Sequence, residues 1–122
     1  MKDKILNSLK YCGVRKRKKY IEIELPVILY FNYQRLVLRI YPIEDGYYIS
    51  DDGKTFIEYS SDTEYYYNLF MENDKNYHYD IQLDNGYIYK QYDGNYSVIA
   101  AIDEFIKYFI NLNDYMQAND VV

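Results

Sequence analysis

Two carboxylates and a lysine carry the first chemical reading of this chain. Asp45 is followed seven residues later by the triplet Asp52-Gly53-Lys54. Paired carboxylates can hold a divalent cation, and a lysine beside them can position an attacking water. That chemistry needs the first and third residues of the triplet inside a strand, where side chains two apart point together. A glycine after two aspartates is what a tight turn wants, so a structural Asp-Asp-Gly turn is expected and a metal site is the alternative. Nucleophilic catalysis has less to work with: Cys12 lies in an amphipathic segment, His78 is the one histidine, and no Gly-x-Ser-x-Gly elbow exists. His78 reads as a surface or hydrogen-bonded structural residue. One cysteine excludes an internal disulfide framework and an all-cysteine zinc site, and neither a phosphate-cradling glycine loop nor a dinucleotide fingerprint is present. No cofactor and no catalytic activity are expected.

Charge and tyrosine content point toward binding instead. Residues 1–19 contain eight basic side chains and one acidic one, whereas residues 20–122 contain six basic and eighteen acidic ones. A short positive arm on a negative body is an argument about partners rather than about fold. The run Arg15, Lys16, Arg17, Lys18, Lys19 is its densest part, and reads either as a solvated segment guarding the next strand or as a phosphate-binding patch. Tyrosine supplies 19 residues against 5 Phe and no Trp, so much of the bulky apolar area carries a hydroxyl that must reach water or a partner. Exposed rings beside a basic arm would suit base stacking on single-stranded nucleic acid, but the acidic body repels phosphates. Acidic side chains interleaved with tyrosines would instead suit a protein whose own site is basic. The residues expected to form that face are Glu64, Tyr65, Glu72, Asp74, Tyr77, Asp80, Asp84, Tyr87, Tyr89 and Asp93.

The elements that must position these residues follow from periodicity. At 122 residues, 49% hydrophobic and 27% charged with 5 Gly and 2 Pro, the chain is long enough for one core and reads as a single α+β domain over 1–122. Ile5, Leu6 and Leu9 share a helical face in 3–12, with Gly13 as the stop signal, so residues 1–19 read as a basic N-terminal helix and arm. From Tyr20 the period is two: Ile21, Ile23 and Leu25 alternate with Glu22 and Glu24, and Pro26 bends the strand before Val27 to Phe31. Leu36, Leu38 and Ile40 mark a second strand and Tyr47 to Ile49 a third, with Glu44-Asp45-Gly46 between them. Thr55 to Tyr59 suggests a short helical turn, and Ser61 with Glu64 fits a capping box for a helix over 62–73. Asn85-Gly86 predicts a type I′ turn between a strand at Ile81 to Asp84 and another at Tyr87 to Tyr92. Ser97 is placed to cap a strongly apolar last helix, with 114–122 as a frayed tail. The expected order is α-β-β-β-α-β-β-α, an antiparallel meander plus a hairpin packed on the hydrophobic C-terminal helix.

The stretch from Glu24 to Gly53 resembles an uncharacterised family of small bacterial and phage domains, in which one strand ends near a Leu-Pro or Thr-Pro step and a later one ends Leu/Ile-Thr/Ser-Asp-Asp-Gly. Here those are Leu25-Pro26 and Ile49-Ser50-Asp51-Asp52-Gly53. The resemblance extends more loosely to the leading helix, the later hairpin and the last helix. It implies a non-secreted protein of prophage or mobile-element type and no established chemistry. The spacing of Asp45, Asp52 and Lys54 also looks like the carboxylate and carboxylate-x-lysine arrangement of restriction-type nucleases, whose core order is α-β-β-β-α-β.

The combined expectation is a cytoplasmic, non-catalytic binding protein of a bacterium or phage-infected cell, with no membrane span. It would inhibit or modulate a host nucleic-acid-handling complex, as anti-restriction and anti-CRISPR proteins do, through its acidic, tyrosine-rich face. The alternative is a nucleic-acid-associated domain or degenerate metal-dependent nuclease using Asp45, Asp52 and Lys54, with direct nucleic-acid contact through residues 15–19.

Overall fold

Alternating apolar and polar residues build a six-stranded antiparallel sheet in the order β1-β2-β3-β4-β6-β5. The strands are β1 (Gly13–Lys16), β2 (Ile21–Ile28), β3 (Arg35–Ile43), β4 (Gly46–Ser50), β5 (Gln82–Asp84) and β6 (Tyr87–Asp93), followed by one helix, α1 (Val98–Asn119). This computed structural model describes residues 13–29, 34–53, 68, 72, 79–84 and 87–119. The expectations for a helix over 3–12, a turn at 55–59 and the Asn85-Gly86 turn lie outside the described residues. Of the expected 62–73 helix, Asn68 and Glu72 are described, and both are helical.

Because strand side chains alternate between faces, one face collects the apolar residues. Ile21 pairs with Ile40, and Ile23 with Leu38; Ile40 in turn pairs with Ile49, so neighbouring strands present aliphatic rows to the same side. Against them α1 lays Ala101, Ile102, Phe105, Tyr108, Phe109 and Leu112, all of them buried. Their spacing of three and four residues is that of one helical face. Ser97 caps this helix: its hydroxyl accepts from the Ala100 N–H at 3.3 Å, and its carbonyl accepts from the Ala101 N–H at 2.9 Å. A polar tie crosses the same interface. Lys90 points inward, its ammonium donating to Glu104 on α1 at 2.6 Å and to the Tyr79 carbonyl at 2.8 Å. Tyr92 donates to the same carboxylate at 3.1 Å.

Strands β4 and β6 cross so closely at Gly46 that a Cβ there would stand 2.1 Å from the Tyr92 carbonyl oxygen. No other residue fits without parting the strands. Pro26 lies inside β2 rather than ending it, and the β2/β3 register shifts between Glu24 and Ile28. A proline with no N–H cannot continue the ladder, and the irregularity absorbs it.

Two expectations are corrected. The basic run is not a free arm: Arg15 and Lys16 belong to β1, where Arg15 pairs with Glu22 and Lys16 with Ile21, and Arg17 to Lys19 form the connection to β2. The meander therefore has four strands rather than three. Val14, opposite Ile23, packs against the core and holds the strand down. The second correction concerns the tail, because α1 continues to Asn119 instead of fraying from 114. Asn111 donates to the Tyr79 hydroxyl, Asn113 donates to the Ile28 carbonyl at 2.8 Å, and Tyr115 packs on the core. These contacts peg the last turns to the sheet.

Candidate functional site

The sheet face turned away from α1 holds the side chains in the other phase of the same strands. One row across it reads Arg15, Glu22, Arg39, Ser50, Tyr89, Gln82, each the register partner of the next. The adjoining row contains Tyr41, Tyr48 and Gln91.

Arg39 is the hub of this face. Its guanidinium meets Asp52 at 2.7 Å and Glu22 at 3.3 Å, and it lies 4.7 Å above the Tyr20 ring. Asp52 also accepts from the Tyr41 hydroxyl at 2.5 Å. Burial, then the bond to Asp52, push that hydroxyl up to about 12, against an opposing pull from Arg39. Burial, followed by the charge of Asp52, raises Tyr48 as well. Glu22 meets Arg17 at 3.7 Å and Arg15 at 3.9 Å. Arg15, Arg17, Glu22 and Glu24 line a surface groove of about 360 Å³.

Three tyrosines of this face, Tyr20, Tyr41 and Tyr48, are packed ring against ring. Tyr41 and Tyr48 lie 4.7 Å apart and 13° from parallel, and Tyr20 tilts against the far side of Tyr41 at 5.2 Å. Ring faces that cover each other are not free for bases to stack on. With both sides of the Tyr41 ring covered and its hydroxyl held by Asp52, this cluster suits packing at an interface better than a nucleobase platform.

The Asp-Asp-Gly segment is a turn, and Asp51, the residue before Asp52, is the one that builds it. Asp51 is 2% exposed; one carboxylate oxygen accepts from the N–H groups of Ile88 and Gly53, both at 2.9 Å. Ser50 accepts from the Asp52 N–H at 2.9 Å. Asp52 and Gly53 have φ of 54° and 77°, the left-handed region that glycine enters freely and aspartate tolerates. The turn thereby aims Asp52 at Arg39 and Tyr41.

This placement separates the carboxylates of the nuclease reading. Asp45 and Asp52 stand at opposite ends of β4, a strand of five residues or about 17 Å at ordinary strand rise. Lys54 lies outside the described residues. Among the described residues no group of three or more His, Cys, Asp or Glu is placed to hold a metal ion.

Of the expected acidic and tyrosine face, Asp84, Tyr87, Tyr89 and Asp93 share the outward side of the β5/β6 hairpin, with Asp84 opposite Tyr87 at one end of β6 and Asp93 at the other. Tyr87 is 51% exposed. Asp80 is exposed with φ of 56° just before β5, and Glu72 is exposed and helical. Glu64, Tyr65, Asp74 and Tyr77 lie outside the described residues. Asp93 joins Glu44, Asp45, Ile43 and Gln91 around a second groove of about 560 Å³. Sequence reasoning missed Tyr20, Arg39, Tyr41 and Tyr48 as parts of the site. The signal was the polar phase of Val37, Arg39 and Tyr41 between the buried Leu36, Leu38 and Ile40.

Comparison with protein-family models, with curated proteins and with solved structures finds no match. The resemblance carried by Leu25-Pro26 and Ile49-Ser50-Asp51-Asp52-Gly53 therefore rests on the sequence pattern.

Proposed function

We propose that the protein is a non-catalytic binding module whose acidic, tyrosine-rich sheet face docks on the basic, nucleic-acid-binding surface of a host protein complex and inhibits it. This is the mode of action of an anti-restriction or anti-CRISPR protein of phage or mobile-element type. The observation that carries the reading is the common outward face of Asp84, Tyr87, Tyr89 and Asp93 beside the Tyr41/Tyr48 pair. Tyrosines provide contact area at low entropic cost, and carboxylates around them steer a basic partner. The self-stacked rings and the Arg39 clamp on Asp52 favour this reading over base stacking and over a metal site.

The test is capture of partners by the full-length tagged protein from a lysate of the native host, with and without nuclease treatment, followed by kinetics on the captured protein. Capture should survive nuclease, and converting Asp84 and Asp93 to Asn should slow association and flatten its salt dependence. Neutralising Arg15 to Lys19 should leave that association rate nearly unchanged. Capture that vanishes with nuclease and depends on the basic run would replace this reading with direct nucleic-acid binding.

A further inference from the structure

The outward face is divided by charge along the line between β3 and β4. On the β1, β2 and β3 side stand Arg15, Arg35 and Arg39 with Glu22 and Glu24, and Arg17 flanks them in the adjoining turn. On the β4, β6 and β5 side the outward charges among the described residues are Asp84, Asp93 and, just past the end of β4, Asp52, which Arg39 holds across the line; Lys90 points inward to Glu104. The dividing line falls at the Tyr41/Tyr48 stack, with three strands to each side of it. A face built this way is complementary to itself.

We infer that this face is the interface of a two-fold dimer in which two copies of the chain pack sheet to sheet. An axis parallel to the strands, passing between β3 and β4, places β1 of one copy over β5 of the other. The arginine side of each then meets the aspartate side of its partner, as an isologous contact requires. The Tyr41/Tyr48 pair meets its own symmetry mate on the axis. Aromatic side chains at the centre and charges toward the rim are the arrangement specific interfaces use. Five inter-strand spacings of about 4.8 Å and strands of about 17 Å give a projected area of about 400 Å² per copy. That lies toward the small end for specific association, so the dimer is reversible and dependent on concentration. This inference does not rest on the proposed host partner. The second copy covers the same face and competes with that partner for it.

The experiment is sedimentation equilibrium of the full chain over a wide concentration range at low and high salt. The untouched protein should dimerise reversibly, more weakly as salt rises. Reversing the basic side with R15E and R17E, or the acidic side with Q82K and D84K, should each weaken self-association by about tenfold or more. An equimolar mixture of the two reversed proteins should recover a dimer containing one copy of each. Far-UV circular dichroism checks that each variant is folded, and the milder R15Q and D84N serve where a reversal is not. A protein that stays monomeric at low salt, a dimer indifferent to both reversals, or a mixture with no recovery would overturn the inference. Each of these outcomes is read without the host partner, so it leaves the proposed function to its own test.

Discussion

Asp51 shows how one side chain sets the geometry of its neighbours. It is buried, and it satisfies two backbone N–H groups, one across the sheet at Ile88 and one in its own turn at Gly53. Asp51→Ala orphans both, and at about 1 to 3 kcal/mol for each unsatisfied group the expected loss is about 2 to 6 kcal/mol, read from urea denaturation. The same substitution should release Asp52 from its aim at Arg39. Tyr41 makes a prediction in pH. Its hydroxyl is pushed up to about 12, as is that of Tyr47, where burial is followed by the influence of Tyr96 and Glu104. A folded-state value above the ordinary 10 means that folding favours the neutral phenol. That stability is fully present below pH 10 and is lost as pH rises through about 12. Tyrosinate absorbance should therefore show late-titrating groups, one fewer of them in Tyr41→Phe, and alkaline unfolding should begin above pH 10.

Elements here are held by one another more than by propensity. Helix α1 has no acidic residue in its first turn and no basic residue in its last, so the macrodipole is left without charged side chains at either end. What holds the helix is the sheet beneath it. Phe105 and Phe109, four residues apart, are both 0% exposed, and the Tyr108 ring meets Phe109 edge-on at 5.4 Å. Phe109→Ala should cost about 3 to 5 kcal/mol in chemical denaturation, the usual loss for truncating a buried aromatic. A change near zero would mean that α1 does not carry the core. The edge strand β1 follows the same rule: its exposed Arg15 and Lys16 are charged, which discourages edge pairing, and Val14 ties it inward.

At the scale of the whole molecule, one apolar cluster joins β2, β3, β4, β6 and α1. With a single cluster the sheet and helix should unfold together. Tyrosine fluorescence and far-UV circular dichroism should give coincident transitions in urea. Two separated transitions would show that the sheet and helix are independently stable. The folded chain also redistributes its charge. In sequence the positive segment precedes a negative body; in the sheet, β1 lies beside β2 and β3, and β5 at the far edge, so opposite fields share one face. Among the described residues no helix is long and apolar enough to cross a membrane.

Much of the secondary structure was legible in the sequence because its causes are local. Period-two alternation over Ile21 to Leu25 and Leu36 to Ile40 marked strands, Ser97 marked a helix start, and glycine after Asp51-Asp52 marked a turn. The outward placement of Asp84, Tyr87, Tyr89 and Asp93 was half legible: alternation puts Tyr87, Tyr89 and Asp93 in one phase, but not which phase faces α1. That choice depended on burying Ile88 and Tyr92. Gly13–Lys16 was not legible as a strand, since four residues, two of them basic, have no period of their own and are strand only through pairing with β2. The extension of α1 to Asn119 escaped for a similar reason, its hydrogen bonds being to Tyr79 and Ile28, distant in the chain. The Arg39, Asp52, Tyr41 and Tyr48 network belongs wholly to tertiary structure. Its members lie on β3, β4 and a turn, and only the register between β3 and β4, with the left-handed backbone at Asp52, brings Asp52 within hydrogen-bond reach of Arg39 and Tyr41, and Tyr48 onto the Tyr41 ring.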